Sequence, residues 1–132
     1  MPQLQSIVLT DRTPVTPVNL TFTPLDIKDG IGSVVNSSGV PIGNKRLTVS
    51  MKKTNTRWKG TVRLDLPVVA TETVNGISKP VVVRTAYAEL NVSFDERSTE
   101  QERTDAIGLL SSGLSTSKVL INDALVKLEG VY

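Results

Sequence analysis

Apolar and polar residues alternate along the first three quarters of the chain, the period of strands with one buried face. QSIVLT, at residues 5–10, reads as a short strand. Residues 13–17, with two prolines, read as a turn, and NLTFT at 19–23 as the return strand of a hairpin that Pro24 ends. After the Asp29-Gly30 turn signal, residues 31–36 predict a third strand and 37–43 a loop. Residues 45–52 predict a fourth strand and 53–57 a polar turn. Residues 59–69 and 80–94 predict two long strands. Residues 71–79, which include Asn75-Gly76, predict an exposed loop between them.

The period then changes. Ser98 with Gln101, and Thr99 with Glu102, form two overlapping capping boxes. Ala106, Ile107, Leu109, Leu110 and Leu114 follow at helical spacing. Gly113 and the serines at 115 and 117 break this helix. Val119, Leu120, Ala124, Leu125 and Leu128 predict a second helix starting near Ser117. Strands first and helices last is an α+β order, and 132 residues predict a single domain spanning residues 1–132. An open antiparallel sheet buries one face, and two short helices cannot cover long strands alone. A symmetric dimer, with helices lying over both sheets and the sheets joined edge to edge, resolves this and disposes of open edges.

Charge sharpens the picture. Between Ile42 and Leu64 stand seven basic residues and no acidic one: Lys45, Arg46, Lys52, Lys53, Arg57, Lys59 and Arg63. The whole chain is only +2, so the remainder is net acidic. Side chains alternate across a strand. Arg46, Thr48, Ser50 and Lys52 therefore share one face of the fourth strand, opposite Leu47, Val49 and Met51. Lys59, Thr61, Arg63 and Asp65 share a face of the fifth, opposite Val62, Leu64 and Leu66. Thr85, Tyr87, Glu89 and Asn91 share a face of the sixth. If these strands are neighbours, the polar faces merge into one basic surface with hydroxyls and an aromatic ring. That inventory suits unpaired RNA, whose bases can be splayed onto a sheet and stacked. An ordinary solvated sheet is also polar and basic outside, and periodicity alone does not separate the two. Arg84, on the apolar side of the sixth strand, predicts an ion pair or an intersubunit contact.

Composition excludes several classes. Without cysteine there is no disulfide, thiol nucleophile or cysteine-based zinc site. Without histidine the commonest general base and metal ligand are both missing, so neither an enzyme nor a cofactor is expected. No window approaches the roughly 20 apolar residues of a membrane helix, and no signal peptide is evident at the N-terminus. No membrane partner is expected. GVPIGNK lacks the spacing of a phosphate loop. Asn36-Ser37-Ser38 and Asn91-Val92-Ser93 match glycosylation acceptors with nothing else to indicate secretion. Asp95, Glu96, Glu100 and Glu102 are placed to favour a helix dipole rather than a metal. Aromatic residues are 4% against 39% hydrophobic. A core with so few rings is thin, which again points to apolar surface buried against another subunit.

Nearly end to end, the chain resembles the coat proteins of the small single-stranded RNA bacteriophages, the levivirus coat family. The stretches that carry the resemblance are DGIGSVVNSSGVPIGNKRLTVSMKK (29–53), TVRLDLPVVATETVNGISKPVVVRTAYAELNVSF (61–94), STEQER (98–103) and GVY (130–132). The resemblance implies an N-terminal hairpin, a five-stranded antiparallel sheet and two C-terminal helices interlocking with a partner chain. The reading above finds one strand fewer in the main sheet, so the resemblance implies a split of the 59–94 region near residues 71–79. It implies an obligate homodimer that builds a quasi-equivalent T=3 icosahedral shell around the RNA genome. It also implies binding of a hairpin at the replicase start to repress translation, with the virion assembled in the bacterial cytoplasm. By motif, Thr48 and Ser50 match the RNA-contacting pair on the LTVS strand, flanked by basic Arg46 and Lys52. Thr61 and Arg63 match the pair on TVRLDLP, the family having lysine at Arg63, and Lys59 joins them on the same face. Tyr87 matches the stacking tyrosine. Glu89 falls where some members carry an asparagine that bonds RNA and others an acid, which repels phosphate. Residues 71–79 match a loop that changes conformation around the symmetry axes and that some relatives cross-link through cysteines. The rival is a dimeric, sequence-specific RNA-binding regulator that forms no shell.

Overall fold

The computed structural model describes residues 2–37, 39 and 41–132. Part of the loop expected at 37–43, and the Asn36-Ser37-Ser38 acceptor, lie outside the described residues. The chain divides into two units, Met1–Ser93 and Phe94–Tyr132.

The first unit is built from strands. β1 (Ile7–Thr10), β2 (Asn19–Lys28), β3 (Ile31–Asn36), β4 (Lys45–Thr54), β5 (Arg57–Val74) and β6 (Ile77–Asp95) lie side by side in chain order. Each of the first four neighbouring pairs is antiparallel. Consecutive residues with positive φ close two of the turns: Asp29 (52°) with Gly30 (76°), and Asn75 (53°) with Gly76 (78°). Left-handed conformation at both central positions gives a two-residue turn the twist its strands need, and Asn, Asp and Gly reach it at least cost.

Two expectations are corrected here. The segment 71–79 is not a loop. β5 continues to Val74 and β6 begins at Ile77, so only Asn75 and Gly76 leave the ladder. The β-branched residues of TETV and IS keep the pattern going, and the Thr73 and Ser78 hydroxyls meet at 3.1 Å. The region 59–94 is therefore two strands and no more. The extra strand of the main sheet comes instead from β2, which Pro24 does not end. Thr23 pairs with Val35 and Pro24 with Val34, and after a slip Asp26 pairs with Ser33. Leu25 is the extra residue of a bulge, one of the few places a strand tolerates proline. The first half of β2 thus pairs with β1 and the second half with β3.

The core lies on one face. Phe22 (1% exposed), Val34 and Leu47 are buried, with Leu4, Leu9, Leu20 and Leu64 packed around them. The N-terminal hairpin supplies Leu9, Leu20 and Phe22, so it roofs only part of the apolar face. Further along β4 the same face leaves Val49 and Met51 each 50% exposed. The core is as thin as the scarcity of aromatic residues predicts.

The second unit holds α1 (Glu100–Gly113) and α2 (Val119–Val126). Of the two overlapping capping boxes, the one at Thr99 forms. Its hydroxyl accepts from the Glu102 N–H at 3.2 Å, and the Glu102 carboxylate accepts from the Thr99 N–H at 3.4 Å. Ser98 instead donates its hydroxyl to the Asp95 carbonyl at 2.7 Å, and Arg103 donates to the Ser98 carbonyl at 2.6 Å. Glu100 and Glu102 occupy the first turn of α1, where their charge favours the helix dipole. α2 begins at Lys118 without a side-chain cap. Neither helix has a buried residue. Leu109 is 76% exposed and Leu120 67%.

Candidate nucleic-acid interface

Strand register decides whether the predicted polar residues meet. Across β4 and β5, Arg46 is opposite Asp65, Thr48 opposite Arg63, Ser50 opposite Thr61 and Lys52 opposite Lys59. Directly opposed residues share a face, so these eight form one continuous patch. On the other face Leu47 opposes Leu64 and Val49 opposes Val62. Strand β6 joins the patch through side chains. The Thr61 hydroxyl donates to Asn91 Oδ1 at 3.0 Å, and the Arg63 guanidinium carbon sits 5.0 Å from the centre of the Tyr87 ring. Glu89, between Tyr87 and Asn91 in the alternation, is on the same face and within electrostatic reach of Arg63. All nine predicted site residues are therefore brought together: Arg46, Thr48, Ser50, Lys52, Lys59, Thr61, Arg63, Tyr87 and Glu89.

The electrostatics are uneven. Lys52 and Lys59 are directly opposed like charges, an arrangement unfavourable for a bare sheet and favourable for one that meets an anion. Arg63 is already engaged. Its Nε donates to Asp65 Oδ1 at 2.9 Å. That hydrogen bond, then the Asp65 charge, hold the guanidinium pKa above its ordinary value, with Glu89 and Tyr87 adding to the pull. Tyr87 is 66% exposed, and one of its sides carries Arg63. Two residues of the basic run belong elsewhere. Lys53 opposes Trp58 on the other face, its ammonium 5.7 Å from the ring, and Lys45 opposes Asn36. Arg57 bonds the Ser93 hydroxyl at 2.8 Å and ties β5 to β6. No ion pair of Arg84 is found among the described residues.

The structure adds residues to this face. Ser33 opposes Thr48 and Ile31 opposes Ser50, so β3 extends the patch. Beyond it, the bulge turns Asp26 and Lys28 to the same side, opposite Ser33 and Ile31. A groove of about 300 Å³ opens beside Tyr87, lined also by Leu25, Val35, Pro41, Asn44, Arg46, Asp65, Pro67 and Thr85. The alternation of β3 could have revealed Ser33. The groove depends on the bulge, which leaves no comparable mark in the sequence.

The Levivirus coat protein family model matches residues 2–132, and the chain belongs to that family. It is 49% identical to the capsid protein of Pseudomonas phage PRR1 over 131 residues, covering 98% of this chain and 99% of that one. It is 32% identical to the capsid protein of Escherichia virus Qbeta, covering 97% of this chain and 87% of that one. The virus-like particle of bacteriophage ESE058 superposes with a TM-score of 0.85 at 25% identity, covering 99% of this chain and all of that one. The chain is a structural capsid protein and not an enzyme.

Proposed function

We propose that this capsid protein works as an obligate homodimer that assembles into a T=3 icosahedral shell around a single-stranded RNA genome. Its sheet face additionally binds an RNA hairpin at the replicase start and represses translation. The observation that carries this reading is the contrast between two surfaces. The polar face gathers Arg46, Lys52, Lys59 and Arg63 with Thr48, Ser50, Thr61 and Tyr87 and stays open. The apolar surfaces, on the sheet at Val49 and Met51 and on both helices, are left uncovered by this chain. Basic side chains and backbone-spaced hydroxyls suit phosphates, and an exposed ring suits an unstacked base. Exposed apolar helices suit a second copy. In this reading the two units form one coat domain that is completed by the partner, and the shell assembles in the bacterial cytoplasm.

The test is to express the protein and measure what forms. Electron microscopy and sedimentation under native conditions should show megadalton, RNA-filled shells. A population consisting only of dimers that bind a hairpin would favour a regulator that builds no shell. Dimers without hairpin preference would remove the repressor role as well.

A further inference from the structure

The tip of the β5–β6 hairpin carries a reactive pair. Asn75 is left-handed at φ 53°, Gly76 follows at 78°, and both are exposed. Nothing lies within 4 Å of where a Cβ on Gly76 would sit. In a two-residue turn the hydrogen bond joins the flanking residues, so the Gly76 N–H is outside the ladder. This is the only Asn-Gly step in the sequence, and each of the other six asparagines precedes a residue with a Cβ. A Cβ crowds the approach of a backbone nitrogen, and glycine leaves it open. Three of those six amides are also held. Asn19 and Asn91 accept the Thr10 and Thr61 hydroxyls at 2.6 and 3.0 Å, and Asn36 donates to the Thr21 carbonyl at 2.9 Å. Asn55 shares the left-handed conformation, at φ 46°, but Thr56 follows it. Asp29-Gly30 shares the turn, but an ionised carboxylate resists a nucleophile.

We infer that Asn75 is a site of spontaneous covalent modification, converting to isoaspartate and aspartate with water as the only co-reactant. The Gly76 nitrogen loses its proton to base and attacks Asn75 Cγ. The new N–Cγ bond closes a five-membered succinimide, and the Cγ–Nδ2 bond breaks to release ammonia. Water then opens the ring at one of its two carbonyls. Opening at Cγ gives aspartate. Opening at the main-chain carbonyl gives isoaspartate, whose backbone runs through Cβ and Cγ and is one carbon longer. Either product puts a carboxylate in place of a neutral amide and takes one unit from the formal charge of +2. The longer backbone no longer fits a turn whose twist must match its strands. The modified tip therefore opens, beginning at the rung where the Thr73 and Ser78 hydroxyls meet.

The experiment ages the purified protein at neutral and at mildly alkaline pH and follows its tryptic peptides by mass spectrometry. Residues 64–84 form one peptide, because Pro80 blocks cleavage after Lys79, and Asn75 is its only side-chain amide. That peptide should gain the mass of OH for NH2 and resolve into two isomers, with isoaspartate the larger. The rate should rise about ten-fold per pH unit, because the attacking amide must first be deprotonated. The peptide carrying Asn55 should not change over the same period. Hydrogen exchange across residues 73–78 should quicken in the aged protein. Asn75→Gly keeps a residue that reaches the turn conformation and should age with neither change. A 64–84 peptide that stays unmodified in the folded protein, yet converts when aged after digestion, would show that the fold closes the site and overturn the inference. Equal conversion at Asn55, or a rate indifferent to pH, overturns it as well. Conversion that leaves hydrogen exchange unchanged overturns the opening of the tip.

Discussion

At the scale of single residues, two side chains make separable predictions. Tyr87 offers a ring for stacking, and stacking discriminates where charge does not. Tyr87→Ala should weaken hairpin binding by about 1–3 kcal/mol, the range for one base on an aromatic ring. It should cost less on unrelated RNA. Equal losses on both RNAs, measured by filter binding, would show that the face binds by charge only. Asp11 governs a different place. One carboxylate oxygen accepts from the Thr13 N–H, the Thr13 hydroxyl and the Val18 N–H, and so ties the turn between β1 and β2. The Val18 bond is the largest of the effects that lower its pKa below 3.8. A depressed carboxylate contributes stability that is present above its unfolded pKa and lost as pH falls through the folded one. The turn should therefore loosen below about pH 3.8 while the sheet persists. Hydrogen exchange at Val18 would report it, and Asp11→Asn should give the loosened turn at neutral pH. Alternation alone put Arg46, Thr48, Ser50, Lys52, Lys59, Thr61, Arg63 and Tyr87 on the polar faces of their strands. It did not reveal that Arg63 is bound, because residues two apart share a face whether they touch each other or water.

At the scale of elements, the sequence was legible wherever local pattern and pairing agreed. β3, β4 and α1 fall where periodicity and the Thr99 cap place them, and the Asp29-Gly30 turn forms as expected, whereas α2 ends at Val126 and leaves Leu128, which the periodicity includes, outside it with φ at 61°. The sequence misled where tertiary pairing overrode a local breaker. Pro24 has no N–H and reads as a stop, yet a bulge at Leu25 lets β2 run on to Lys28. The same bulge reverses which parity faces the core, so the alternation of NLTFT and of LDIK cannot be read as one strand. Close packing between strands was also invisible. Gly60 is buried, and a Cβ there would lie 2.8 Å from Met51 Cε and 2.9 Å from Val92 Cγ2. Met51 can move aside, but a β-branched valine has little freedom. Gly60→Ala should destabilise by about 1–3 kcal/mol, the usual range for overpacking. A midpoint in urea unchanged from the parent would refute this. Thr99→Ala removes a capping box and should cost about 1 kcal/mol. Thr99→Ser should recover most of it.

At the scale of the whole molecule, the question is what a chain with so small a core does with its apolar surface. Among the described residues three buried apolar side chains anchor the strand unit, and the helices bury none. Burying a leucine stabilises by roughly 1.5–3 kcal/mol relative to leaving it exposed. Leu109, Leu120 and Leu125 are largely uncovered and Leu114 about half so, and in the dimer reading their burial against a second copy supplies that stabilisation. The tip of the β5–β6 hairpin is the opposite case. It is exposed and closed by a two-residue turn, and a Cβ on Gly76 would meet nothing within 4 Å. Shortening it symmetrically and rejoining it with Asn-Gly should leave a folded, RNA-binding dimer while changing particle size or yield. Failure to fold would mean the tip belongs to the core. The helices should behave otherwise. Leu109→Glu with Leu120→Glu places charges where the partner is expected, and a desolvated unpaired charge is prohibitive. If folding and association are one event, the product is an unfolded chain whose residual folding depends on protein concentration. Sedimentation equilibrium with circular dichroism, at micromolar concentration, distinguishes the outcomes. A monomer that keeps its strand signal and unfolds cooperatively would show that the sheet stands alone, and the obligate dimer would have to be given up.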